Sequence, residues 1–336
     1  MKKIIIALIL FLYFNDAKSK SIDSSYSVYI AKAEFLFKSK DYKNAAISYT
    51  VAFSFLGYKA YPDDRYNAAR CWGMTGNSDS AFYHLLRLQE KVPDYFSSEE
   101  LINDTCLKSL QNDHRWHELI EKIYNYEAHL NKALIEQLDT IYDRDQKYRK
   151  LLNDPSSDFG GSTEGRTKLW QLISKNDSLN LAPIETIIDT YGWPGPDLVK
   201  QKGNSTVFLV IQHSNFATQK KYLPMMREAV KSGKAKAYDL ALLEDRVAMN
   251  DGKKQIYGSQ IRRGVSFDTC AIPIAVYPSD DKSNKFYPIE DEPDVNKRRA
   301  SVGLEPLEEY AKRFGIEYKL PPRYWKYLIN KPSKRL

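Results

Sequence analysis

Apolar residues follow three different rhythms along this chain. From Ile4 to Phe14 they run almost unbroken, just after Lys2 and Lys3. From about 26 to 130 they recur at helical spacing. Ala33, Leu36, Ala45, Tyr49 and Ala52 mark one stretch, and Ala69, Trp72, Ala81 and Leu85 the next. In both stretches two alanines stand 12 residues apart, with a large residue three after the first. This self-similarity predicts helix–turn–helix units over 26–59 and 62–95, joined through Tyr61-Pro62-Asp63-Asp64 and punctuated by Gly76 and Pro93. A looser third unit over 98–130 carries Trp116, Leu119 and Ile123.

Beyond 130 the rhythm changes. Leu134, Leu138, Ile141, Tyr148 and Leu152 predict one helix over 131–152, and Pro155 to Gly165 a polar break. Helices are expected near 166–174 and 183–191, the latter stopped by Gly192-Trp193-Pro194-Gly195-Pro196. The continuous run Val207–Ile211 reads as a buried strand, followed by a helix over 217–232 that Gly233 closes. Tyr238–Asp245 reads as a helix closed by Asp245-Arg246. A hairpin then turns at Asn250-Asp251-Gly252, with Gln255–Gln260 as its second strand. Asp294 is expected to cap a short helix that Gly303 ends. The fold class is α+β and helix-rich: N-terminal α–α repeats, then a separate α/β-type domain with a small sheet. The segments are 1–19, 20–130, 131–320 and a tail, 321–336.

The alanine spacings resemble the tetratricopeptide repeat, in which small residues let paired helices approach and large ones fill the gap between them. That resemblance implies stacked helix pairs and a surface for a protein or peptide partner; packing on the second domain is the plainer use of so short an array. The opening run is shorter than the roughly 20 residues that span a bilayer, and Ala17-Lys18-Ser19 offers a small-x-small cleavage site. A signal peptide over about 1–19 is therefore expected, with a periplasmic or secreted product and no membrane span once it is removed. The formal charge of +7 is spread without a basic, aromatic-interleaved patch, so nucleic acid is not an expected partner. Arg262-Arg263 and Lys297-Arg298-Arg299 read as solvated faces. Of the three cysteines, Cys71 and Cys106 read as buried small hydrophobes, and Cys270 completes the set without any zinc-type spacing.

Candidate chemistry lies in the second domain. Asp145 stands in the apolar stripe of its helix, seven after Leu138 and seven before Leu152. A carboxylate facing a core needs a partner, and Arg149 is one turn on, with Gln146 beside the same face. Gln212 and His213 sit where open α/β sheets bind ligands, past the end of a strand and before a helix. There the helix N-terminus favours a neutral imidazole, fit for a general base or a metal ligand. Asp245, Arg246, Gln255, Tyr257 and Gln260 extend the polar set. No GxSxG elbow, phosphate-binding loop, HExxH or dinucleotide fingerprint is present.

The series Asp145-Gln146-x-x-Arg149, Tyr191-Gly192-Trp193-Pro194, Ile211-Gln212-His213-Ser214, Ala241-Leu242-Leu243-Glu244-Asp245-Arg246, Gln255-Ile256-Tyr257-Gly258-Ser259-Gln260 and Arg298-Arg299-x-x-Val302-Gly303-Leu304 resembles an uncharacterised bacterial family. That family is a domain of unknown function, sometimes found after tetratricopeptide repeats. The resemblance covers about 134–318 and implies a boundary near 131; it supplies no activity, and cofactor and metal stay open. Three readings stay open. In the first, the domain is a hydrolase or lyase for a small polar or anionic substrate. His213 is its base, Asp145 or Asp245 its orienter or a metal ligand, and Arg149, Gln146, Gln212, Arg246, Gln255, Tyr257 and Gln260 hold the substrate. In the second, it is a non-catalytic module for a protein, peptide or glycan. In the third, the same residues form buried networks that fix the fold.

Overall fold

The computed structural model describes residues 16–152, 163–262 and 285–321. Residues 1–15 of the expected signal peptide, most of the Pro155–Gly165 break, Arg263, Cys270 and the tail beyond 321 lie outside them. The protein is a helix-rich α+β molecule. It divides into two compact units, Met1–Leu130 and Asn131–Leu336.

The first unit is built of consecutive helix pairs. Helix α1 (Asp16–Lys38) packs on α2 (Tyr42–Phe55), and α3 (Pro62–Met74) on α4 (Ser78–Lys91). Helix α5 (Ser98–Asn103), a 3-10 turn (Thr105–Leu110) and α6 (His114–Ala128) follow. The starts are chemically marked: the side chains of Asp41, Asn77, Ser97 and Asp113 each accept a backbone N–H of the first turn, and Ser97 with Glu100 forms a capping box. Ala33, Ala45, Ala69 and Ala81 are fully buried, so backbones come close where the spacing placed small residues. Cys71 and Cys106 are buried free thiols.

In the second unit, α7 (Lys132–Leu152), α8 (Thr163–Tyr191), α10 (Phe216–Lys231) and α11 (Ala237–Asn250) all pack on α9 (Pro196–His213). This placement corrects the strand expected at Val207–Ile211. From Gly203 onward α9 has no exposed residue and so no polar face, and its short apolar run cannot be told from a buried strand by periodicity. Val207, Val210 and Ile211 join Leu138, Ile141, Ile184, Ile188 and Leu243 in one core. Burying each such side chain contributes roughly 1.5–3 kcal/mol. Gly203 lets α9 approach α7, since a Cβ there would stand 3.1 Å from Leu138 Cδ1.

Two further expectations change. The helices foreseen near 166–174 and 183–191 are one helix, α8, with Pro183 inside it. Pro183 has no N–H to give the Leu179 carbonyl, and Leu179 lies on the exposed side of the helix. The hairpin is absent: α11 continues past Asp245-Arg246 to Asn250, and Gly252, at φ +71°, turns the chain out of the helix. Residues 255–260 form a loop that, among the described residues, makes a parallel bridge from Gln255 to Ile289. The sheet among the described residues is β1 (Ile261–Arg262) antiparallel to β2 (Lys285–Phe286), with Ile261 opposite Phe286. A small cluster of Ile289, Val295 and Leu307 ties this segment to α12 (Val295–Ser301) and α13 (Leu307–Lys312). Asp294 precedes α12 without a side-chain cap bond.

Candidate functional site

Helices α7, α8 and α9 bring polar groups to a common point. Asp145 lies on the buried face of α7, as its place in the apolar stripe requires, and is 2% exposed. His213 is the last residue of α9, and its Nδ1 lies 3.0 Å from Asp145 Oδ1. Arg149, one turn beyond Asp145, donates through Nη1 to Asp145 Oδ1 at 3.2 Å and to the Asp145 carbonyl at 2.8 Å. Its Nη2 donates to Asp177 Oδ2 on α8 at 2.7 Å. Gln146 Nε2 donates to Asp145 Oδ2 at 2.8 Å.

The electrostatics separate the two titrating partners. Burial alone would push the Asp145 carboxyl up, but His213, Arg149 and Gln146 together hold it below its ordinary value. Burial pushes the His213 imidazole down. The Asp145 bond opposes that, the charges of Arg149 and Arg246 reinforce it, and the result is a lowered value. At neutral pH this is a carboxylate accepting Nδ1–H from a neutral imidazole. The expected neutrality of His213 thus has a different cause: it sits at a helix C-terminus, not after a strand, and burial rather than a helix N-terminus lowers it. The side chain keeps 18% of its surface exposed, and Nε2 has no partner among the described residues.

Asp177 was not anticipated. It falls four after Ile173 and seven before Ile184, on the same buried stripe as Asn180, the signature that singled out Asp145. Reading α8 as two short helices hid it. Its Oδ1 is buried with no hydrogen-bond partner among the described residues, and burial pushes its carboxyl up against the pull of Arg149. Asp145, Asp177 and His213 each offer a ligand atom within 4.8 Å of the others, so these are the residues that could hold a cation. The Arg149 guanidinium already bridges both carboxylates, and a metal ion there would compete with it.

The remaining candidates form an adjoining network. Arg246 donates from Nη1 to the Gln212 carbonyl at 3.0 Å and from Nε to Gln260 Oε1 at 3.2 Å. Its charge reaches His213. Gln212 Nε2 donates to the Leu242 carbonyl, and its Oε1 is buried without a partner among the described residues. Gln219 Nε2 ties the Gln212 and Ser214 carbonyls together at 3.1 and 2.8 Å, fixing the turn that follows His213.

Asp245 and its neighbours do something else. Asp245 accepts the backbone N–H groups of Ile256, Tyr257 and Ser259 at 2.6, 2.9 and 2.8 Å. Gln255 is fully buried and bonds the Gln260 N–H and the Gln260 and Tyr287 carbonyls. Tyr257 engages through its backbone, its carbonyl accepting from Arg299 Nη1 at 2.7 Å. These groups build the 255–260 loop rather than the Asp145–His213 pair, which removes Asp245 as the orienter of His213. Arg298 and Arg299 are likewise not solvated: Arg299 is 1% exposed and Arg298 donates to the carbonyls of Ile256, Glu290 and Asp291.

No curated protein and no solved structure matches this chain. A family model described as a family of unknown function (DUF6624) matches residues 134–321, the helices that carry Asp145, Asp177 and His213 together with the loop that Asp245 pins. The chain belongs to the DUF6624 family.

Proposed function

We propose that the second unit is an enzyme in which His213 acts as a general base, oriented and made more basic in the transition state by Asp145. The observation that carries this reading is the 3.0 Å contact between His213 Nδ1 and a buried, ionised Asp145. A carboxylate on Nδ1 fixes the tautomer with its lone pair on Nε2, and it stabilises the imidazolium that forms when Nε2 takes a proton. Such a base serves water activation or proton abstraction, so the reaction class is hydrolase or lyase. The positive fields of Arg149 and Arg246 beside His213 favour a small polar or anionic substrate. Gln146, Gln212 and Gln260 are its candidate binding partners. The same geometry makes the Asp145–Arg149–Asp177 bridge a brace between α7 and α8, and that brace favours, as a second reading, a polar network that fixes the fold.

Two wider proposals rest on the sequence. The basic, apolar and small-residue succession of 1–19 supports export to the periplasm or beyond. The buried alanines of the paired helices support a tetratricopeptide-type array that docks a protein or peptide partner.

The test of the base is direct. A neutral imidazole with an open Nε2 reacts with diethyl pyrocarbonate at neutral pH, and mass spectrometry locates the adduct. Modification at His213, with parallel loss of turnover in a panel of esters, phosphoesters, peptides and glycosides, supports the proposal. An unmodified His213, or turnover that survives His213→Gln, would sink it.

A further inference from the structure

A second polar site lies in the first unit. Between α2, α3 and α4 there is a groove of about 450 Å³ with Phe53, Tyr58, Trp72 and Tyr83 among its walls. Arg65 and His84 also line it, although Arg65 is only 5% exposed. Arg65 Nη1 lies 3.3 Å from His84 Nδ1, Nη2 donates to the Tyr58 carbonyl at 2.9 Å, and the guanidinium carbon stands 5.5 Å from the Phe53 ring centre.

None of these partners carries negative charge. Among the described residues no carboxylate pairs with Arg65. Asp79, also lining the groove, is held by Arg115 at 2.7 Å, and Asp64, the next residue in the chain, accepts from Tyr26 at 2.5 Å. Burial and the charges of Arg65 and Arg87 push the His84 imidazole down to about 3, so it is neutral and accepts from Arg65. Arg87 adds a second positive charge close to both. A guanidinium taken out of water and left without a counter-charge costs several kcal/mol. A ligand that supplies the missing charge would offset that cost.

We propose that this groove binds a small ligand made of a carboxylate on an apolar or aromatic body, with Arg65 pairing the carboxylate. The guanidinium fork matches a carboxylate in two-point geometry. Aromatic walls with a few polar groups, in a volume of this order, are what small-molecule sites present. Thr50 and Ser80 offer hydroxyls at the same groove.

Phenylacetate and its uncharged isostere phenylacetamide serve as probes on the full chain. Calorimetry is expected to show the acid binding at least about tenfold more tightly than the amide, a difference that RT ln 10 sets at about 1.4 kcal/mol. In the wild-type protein the ring signals of His84 should shift with the acid and not with the amide. Arg65→Met, checked for native circular dichroism, should abolish the preference. Equal behaviour of acid and amide up to millimolar concentration, His84 signals that ignore the acid, or a preference that survives Arg65→Met would each overturn the proposal.

Discussion

Asp145 and His213 stand 68 residues apart in the chain and meet Oδ1 to Nδ1 at 3.0 Å. The carboxylate is also held by Arg149 and Gln146, so His213 takes its orientation from a group that cannot itself move. The imidazole contributes little to the core, whereas Asp145 sits inside it. His213→Gln should therefore change stability by under about 1 kcal/mol while lowering turnover by a factor on the order of 10²–10⁴. Asp145→Ala should cost about 3 kcal/mol, because it strips Arg149 and His213 of a buried partner. Urea unfolding of the two variants, beside the turnover of the first, checks the contrast. Equal destabilisation would place His213 in the fold rather than the chemistry.

The His213 imidazole should titrate below its ordinary value of 6.5. A histidine buried neutral lets the unfolded chain take up the proton first. Its contribution is therefore lost as pH falls below about 6.5, and protonation of Asp145, itself lowered, follows at more acid pH. Nitrogen chemical shifts should show a proton on Nδ1 at pH 7. A midpoint above 6.5, or a proton on Nε2, contradicts the geometry.

Asp245 pins the chain at Ile256, Tyr257 and Ser259. Asp245→Ala leaves three buried N–H groups without their acceptor and should cost about 3 kcal/mol, since each unsatisfied group costs roughly 1–3 kcal/mol before the loop relaxes. Amide exchange should quicken across 255–260 first. Protection unchanged there, with slowed turnover instead, would return Asp245 to the catalytic set.

Gly258, at φ +71°, lies inside that loop, and a Cβ on it would fall 2.8 Å from Ile289 Cδ1. Gly258→Ala combines backbone strain with overpacking, and a loss of about 2 kcal/mol is expected in denaturant unfolding. A neutral effect would show that the loop can shift away from Ile289.

Asp239, 6% exposed in the first turn of α11, is pushed up to about 7 by burial, with only Lys236 opposing. Its folded value lies above its unfolded one, so the protein loses stability as pH rises from about 4 toward 7 and does not regain it. Asp239→Asn removes that loss. The variant's advantage over wild type should be larger at pH 8 than at pH 5 by on the order of 2 kcal/mol, at 1.36 kcal/mol per pK unit. Parallel stability curves for the two proteins across this range would disprove the shift.

Much of the fold was legible where local chemistry decides it. The alanine spacing marked the helix pairs of the first unit, and the apolar stripe of 131–152 marked α7 together with the burial of Asp145. Arg149 was legible as its partner because one helical turn sets their distance. Asp177 obeyed the same rule but was lost because it fell in the gap between the two helices expected near 166–174 and 183–191. Arg65 is a different case: nothing in its neighbours along the chain marks a buried cation.

The sequence by itself determined the helical periodicities and the i, i+4 pairing on α7, which depend on residues within two turns of one another, and the small-residue contacts between paired helices, which join neighbours across one short turn. Tertiary structure decided that Val207–Ile211 is a helix, since an apolar run reports burial but not the shape that is buried. It also decided that Asp145 meets His213 while Asp245 meets a loop. Two carboxylates look alike in a chain, and what separates them is whether an imidazole or three backbone N–H groups arrive from a distant segment.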